Sequence, residues 1–350
     1  MRRPLAGLAL MAALGATADL RAQAQPPAPM VSSEPDRFVR KWFETRPWYE
    51  PLVAEPRGAQ VSLIALARSR EFPFMVKEGS RRVWEIHLGR EVPFVLREKG
   101  SSGDGPMAPG GWGFGVWFPV SVHFVEDFKD EGHPIVNTDY RVGAMFKVAH
   151  GLTRFPRDRV FFQLQIGHES GHVGDEFLLN AQSRSGPAFE RVDVTYQFFE
   201  GGVSWDHTLG AAGRGQLTVR ASAAQTFTYK GRNGFYVPQL ADGTPLSPSV
   251  RHLEPAIGVQ YVPLGTRGAG LVLSLDLRQK TIYNFHKVVP GQREDAQWSS
   301  SFAVAVRPLS LRARGTPEFV FKAYRGVNPN GLFRTQRDYW LFGLGLHLRV

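Results

Sequence analysis

From residue 60 onward, apolar and polar side chains alternate with period two through most of the chain. Leu271, Leu273, Leu275 and Leu277 share one parity, while Val272, Ser274, Asp276 and Arg278 share the other. A helix would scatter those leucines around its axis, whereas a strand sorts them onto one face. Val192, Val194, Tyr196 and Phe198 stand against Asp193, Thr195 and Gln197, and the apolar set reads as the outward one. The last stretch sets Trp340, Phe342, Leu344, Leu346, Leu348 and Val350 against Gly343, Gly345, His347 and Arg349. Clusters of turn-forming residues separate such stretches and predict strands at 60–68, 83–96, 112–127, 139–153, 159–170, 190–204, 216–230, 250–263, 270–283, 297–307, 318–325 and 338–350.

Twelve strands, an even number and mostly far longer than the globular norm of about five to six residues, predict an all-β fold. The specific expectation is an antiparallel transmembrane β-barrel of about 12 strands, apolar toward lipid and polar toward its lumen. A soluble β-sandwich would also alternate, but strand length and the succession of short and long connections favour the barrel. The glycine- and serine-rich segment 100–111 departs from that succession. Arg141, Lys147, Arg220, Asp276, Arg278, Lys322 and Arg349 take the inward parity of their strands, so ion pairs across a packed lumen and an open pore are both compatible with the pattern.

The N-terminus changes the picture by fixing a compartment. Arg2 and Arg3, an apolar run over 5–18 and the small-residue sequence Ala22-Gln23-Ala24 form the three regions of a secretory signal peptide over 1–24. Residues 25–58 are proline-rich with Trp42, Phe43, Trp48 and Tyr49 and no clear periodicity. They read as a periplasmic leader or partial plug without strands, with one helical turn near 37–43, and residues 59–350 as the barrel. The chain has no cysteine, so disulfides cannot hold this exported protein together. Apart from the signal peptide, no apolar run approaches the roughly 20 residues of a membrane helix, which leaves strands as the only means of spanning. The expected location is the cell outer membrane, reached with the barrel-assembly machinery.

The formal charge of +10 falls to +8 on cleavage after Ala24, which removes three basic residues and one acidic one. That excess favours anionic partners such as membrane lipid or lipopolysaccharide and, with export and no binding motif, argues against nucleic acid. Nothing in the sequence sets an oligomeric state.

The candidate chemistry lies in 159–176, RVFFQLQIGHESGHVGDE. Phe162, Leu164 and Ile166 define the apolar parity, and continuing it places His168, Ser170 and His172 on the same outward face. Ionisable groups directed toward hydrocarbon are costly and point to function; the plainer alternative is that the strand ends at Gly167 and the motif is a solvated loop. A histidine two residues from a serine on one strand face can serve as its base, so Ser170 is the candidate nucleophile and His168 the candidate base. Glu190, or less favourably Asn180, would orient the histidine. His172, Asp175 and Glu176 form a His and carboxylate group suited to a divalent cation such as calcium, although their spacing matches no standard site and Gly174-Asp175 also reads as an ordinary turn.

The His168-x-Ser170 pair resembles the His-x-Ser pair of outer-membrane phospholipase and lipid A deacylase barrels, and that resemblance implies a lipid acyl hydrolase working from the bilayer. Over a longer span, Pro51-Leu52-Val53-Ala54-Glu55-Pro56-Arg57, His168-Glu169-Ser170-Gly171-His172-Val173-Gly174-Asp175-Glu176 and Asn328-Pro329-Asn330-Gly331-Leu332-Phe333-Arg334 resemble an uncharacterised bacterial family known only as a domain of unknown function. This second resemblance implies an exported barrel and supplies no activity.

Overall fold

The computed structural model describes residues 39–42, 52–56, 58–72, 80–99, 108–128, 134–175, 177, 179, 194–210, 215–227, 253–263, 269–281, 296–308, 317–333 and 336–348. Their strands are β1 (Val39–Trp42), β2 (Val61–Arg70), β3 (Ser80–Lys99), β4 (Trp112–Asp127), β5 (Ile135–Gly151), β6 (Asp158–Val173), β7 (Val194–Leu209), β8 (Gly215–Phe227), β9 (Leu253–Val262), β10 (Ala269–Thr281), β11 (Ala296–Pro308), β12 (Pro317–Gly326) and β13 (Tyr339–Leu348), with one 3-10 turn, Gly331–Phe333, between the last two. Each strand from β2 to β13 pairs antiparallel with its chain neighbours, and β13 returns to β2. The result is a closed twelve-stranded antiparallel barrel. Closure leaves no open edge among these strands, which is what a sheet in lipid requires.

The alternation sorts the two faces. On β6, Phe162 and Ile166 are exposed while Gln163, Gln165 and Glu169 are buried. On β12, Phe319 and Phe321 are exposed while Glu318 and Lys322 are buried. Exposed apolar residues recur around the wall, among them Leu66, Phe118, Phe146, Phe199, Leu275 and Leu344. A water-soluble domain has the opposite arrangement, so this is an outer-membrane-type β-barrel. No helix among the described residues is long and apolar enough to cross a membrane.

Two expectations from the sequence are corrected. Residues 39–42 are a strand, not a helical turn: β1 pairs with β3 from Val95 to Glu98, a stretch that β2, whose pairing with β3 stops at Leu88, leaves unpaired on that side. The backbone groups there need partners, and β1 supplies them. The parity of β7 is also reversed. Tyr196 and Phe198 are buried in the lumen and Phe199 and Val203 are exposed, so the described members of that apolar set, Tyr196 and Phe198, do not face outward. Adjacent Phe198 and Phe199 make the two faces of β7 nearly equal in hydrophobicity. What decides is Gly167 on β6, where an added Cβ would fall 2.4 Å from Phe198 Cζ, so the glycine provides the space the inward ring occupies. Arg349 lies outside the described residues; the other six residues assigned to the lumen point into it or are buried there.

Candidate functional site

β6 runs unbroken to Val173, so His168, Ser170 and His172 belong to the sheet and not to a loop. All three take the outward parity and are partly exposed. His168 faces Val142 across the β5 ladder and Ser170 faces Tyr140, and Val142 and Tyr140 are both exposed. His168 and Ser170 therefore stand beside the exposed Val142 and Tyr140 on the outward face. The Tyr140 ring meets the His172 ring edge-on with centroids 5.9 Å apart. No hydrogen bond joins His168 to Ser170 among the described residues; two residues along a strand separate their Cα atoms by about 6.6 Å.

Glu176, Asn180 and Glu190 lie outside the described residues. In the sequence Glu190 shares the parity of Val192, Val194 and Tyr196, and Tyr196 points inward. Asp175, just past the end of β6, is exposed.

The lumen holds a second and denser set of polar groups that the sequence reading did not single out as a site. Residues 52–56 enter the barrel and are buried. The Val53 amide donates to Gln260 Oε1 at 3.0 Å and the Ala54 amide to Ser274 Oγ at 3.1 Å. The Glu55 carboxylate accepts from Arg220 at 2.9 Å and from Arg278 at 3.3 Å. Gly258 on β9 makes room for this segment: a Cβ there would fall 2.1 Å from Leu52 Cδ1. Arg141 donates to Glu200 at 3.1 Å and lies over the Phe198 ring at 4.2 Å from its centroid. A small cavity of about 30 Å³ is lined by Glu55, Glu91, Ser121, Arg141, Glu200 and Arg220 among others.

At one end of the lumen, Lys147 pairs with Glu91 and lies over Trp117. At the other, the 3-10 turn after β12 folds inward and its Phe333 joins Phe72, Phe177 and Tyr339 in an aromatic cluster, with Phe72 and Phe333 centroids 5.2 Å apart. The Gly331 amide donates to both oxygens of Asp139, at 3.2 Å and 3.1 Å. Gly171 on β6 makes room for this contact, since a Cβ there would fall 2.5 Å from Asp139 Oδ1 and 3.5 Å from Gly331 Cα. Two of the segments that carry the family resemblance therefore meet: Gly171 of the β6 motif underlies Gly331 of the 328–334 motif, and the 51–57 motif supplies Leu52 and Glu55 inside the barrel. All three take part in filling the lumen.

Between these levels lie Glu85, His87 and His123, each buried, with Nε2 of both histidines 3.3 Å from Glu85 Oε1 and Lys322 Nζ bonded to both Glu85 oxygens at 3.0 Å and 3.1 Å. The inward parity of Glu85 and His87 on β3 was available in the sequence; the meeting with His123 depends on the β3–β4 register and with Lys322 on barrel closure.

Residues 41–221 match a family described as a protein of unknown function, DUF1207. No curated protein matches the chain. Among solved structures, it is similar to the β domain of the Bordetella autotransporter Brka, at 11% identity with 84% of this chain and 100% of that one covered and a TM-score of 0.33. It is also similar to the translocator domain of the autotransporter NalP from Neisseria meningitidis, at 8% identity, 85% and 91% coverage and a TM-score of 0.34. A bacterial polysaccharide outer membrane secretin aligns at 7% identity over 84% of this chain and 99% of that one, with a TM-score of 0.27.

Proposed function

The chain belongs to the DUF1207 family of proteins of unknown function, and we propose that it is an exported, integral protein of the bacterial outer membrane whose barrel is a conduit held shut by its own residues 52–55. The observation that carries this reading is the Glu55 carboxylate bound to Arg220 on β8 and Arg278 on β10. A carboxylate on an inserted segment occupies a position that an anionic solute would take once the segment withdraws. Without Glu55, the wall there keeps Arg141, Arg220 and Arg278 against Glu200 and Asp276, an excess of one positive charge that would favour anions.

The test is planar-bilayer conductance of the refolded full chain. Wild-type protein should show little steady current, and Glu55→Ala should open anion-selective events more often. Equal, steady conductance in both proteins, or none in either, removes the proposal.

A second reading, a lipid acyl hydrolase with Ser170 as nucleophile and His168 as base, draws support from their shared outward face beside the exposed Val142 and Tyr140. It would act on phospholipid or lipopolysaccharide acyl esters, with Glu190 or a divalent cation such as calcium at His172, Asp175 and Glu176 in the orienting role. Release of fatty acid from mixed micelles, with and without calcium, should vanish in both Ser170→Ala and His168→Ala. Release that continues at the wild-type rate in those variants, or that wild type never shows, eliminates it.

A further inference from the structure

Glu85 and His87 occupy successive inward positions on β3, and His123 is the direct register partner of His87 on β4. The two imidazole rings lie with centroids 3.9 Å apart, and Nε2 of each lies 3.3 Å from the same oxygen, Glu85 Oε1, with a hydrogen bond from His87 alone. All three donor atoms fall within 4.8 Å of one another. Two ligand atoms bound tetrahedrally to one ion at about 2.1 Å stand about 3.4 Å apart, so two edges of the group already have the length of a coordination edge. We infer that Glu85, His87 and His123 form a transition-metal site inside the barrel, of the zinc or cobalt class, distinct from the outward group at His172.

The donor set selects the class of ion. Two imidazoles and one carboxylate suit zinc and its neighbours, whereas calcium and magnesium prefer an all-oxygen set. Three protein donors leave a remaining position for water or a solute. The surroundings of His123 fit the same role: its Nδ1, on the opposite side of the ring from the donor centre, faces Asp139 Oδ2 at 3.8 Å. A carboxylate behind a ligating imidazole fixes its orientation and raises its basicity. Asp139 is itself held by the Gly331 amide, so the site is connected to the turn that closes the end of the lumen. The cavity beside Glu55 reaches Ser121, the next inward position from His123 along β4.

Lys322 is the competing cation. Without a metal, the same groups form a lysine–glutamate pair with two histidines at its carboxylate, and that arrangement predicts no metal affinity at all. The two cases separate in a titration of refolded, chelator-treated full-length protein with cobalt(II) alone and zinc(II) alone, followed by calorimetry and by cobalt absorption. Wild type should bind one ion per chain. The double variant His87→Ala, His123→Ala should lose binding, and Asp139→Asn should weaken it by about 10- to 100-fold. Lys322→Met should tighten it by about tenfold or more, because a neighbouring positive charge is gone. Barrel integrity is checked in every variant by circular dichroism. Absence of binding in both wild type and Lys322→Met overturns the inference, and so does binding that survives the double variant or that His172→Ala abolishes.

Discussion

Lys322 on β12 and Glu85 on β3 meet across the lumen, with Lys322 Nζ 3.0 Å from Glu85 Oε1 and 3.1 Å from Oε2, although 237 positions separate them in the chain. Strands β13 and β2 lie between them in the wall, so this contact exists only because the barrel is closed. The two partners are not equivalent. Glu85 also faces His87 and His123, whereas both hydrogen bonds of Lys322 go to Glu85.

The asymmetry makes a prediction for stability in metal-free buffer. Glu85→Ala strands a buried ammonium and should cost about 3–5 kcal/mol, the usual loss on breaking a buried pair from one side. Lys322→Met leaves a carboxylate that two histidines can still serve, so it should cost clearly less, and the double variant should recover most of the Glu85→Ala loss. Reversible urea unfolding in lipid measures all three; equal losses from the two single variants would contradict the unequal dependence.

A second prediction concerns Gly167 and Phe198. An added Cβ at Gly167 would lie 2.4 Å from Phe198 Cζ, and the ring is fully enclosed beneath Arg141. Gly167→Ala should therefore destabilise by about 1–3 kcal/mol through overpacking. Adding Phe198→Leu should return part of that loss, a non-additivity expected only of groups in contact. Strict additivity in a double-mutant cycle would place Phe198 away from Gly167.

How legible was this molecule in its sequence? Strand positions and, for β6, β10 and β13, the outward face follow from alternation that one strand carries by itself, as with the leucines 271–277. The face of β7 does not, because Phe198 and Phe199 compete for it and the deciding glycine lies on β6. The lumenal groups show the same limit more sharply. Glu85 and His87 display inward parity, but His123 joins them through register and Lys322 through closure, relationships that no local pattern carries. His168 and Ser170 were visible because both lie on a single strand face, whereas any group orienting the histidine would have to come from another element, which no local pattern identifies.

The lipid-facing belt gives a depth-dependent prediction. Leu275 lies at the centre of β10 and Leu271 near its end, both exposed on the outward face. Leu275→Arg should cost about 2–4 kcal/mol in a bilayer and Leu271→Arg about 1 kcal/mol or less. The readout is the urea midpoint of each variant refolded into liposomes. Near-zero and equal effects at both positions would mean that this face meets water.

Occupation of the lumen by residues 52–55 can be read directly by cross-linking, because the native chain contains no cysteine. Leu52 Cδ1 lies 2.1 Å from where a Cβ on Gly258 would fall, so the pair Leu52→Cys, Gly258→Cys is placed to oxidise, while Leu52→Cys paired with Leu275→Cys on the outward face is not. Electrophoretic mobility of the folded, membrane-inserted protein after mild oxidation reports the bridge. Efficient bridging of 52 to 258 and none of 52 to 275 is the expected result; no bridge at 258, or equal bridging at both positions, would place the segment outside the barrel.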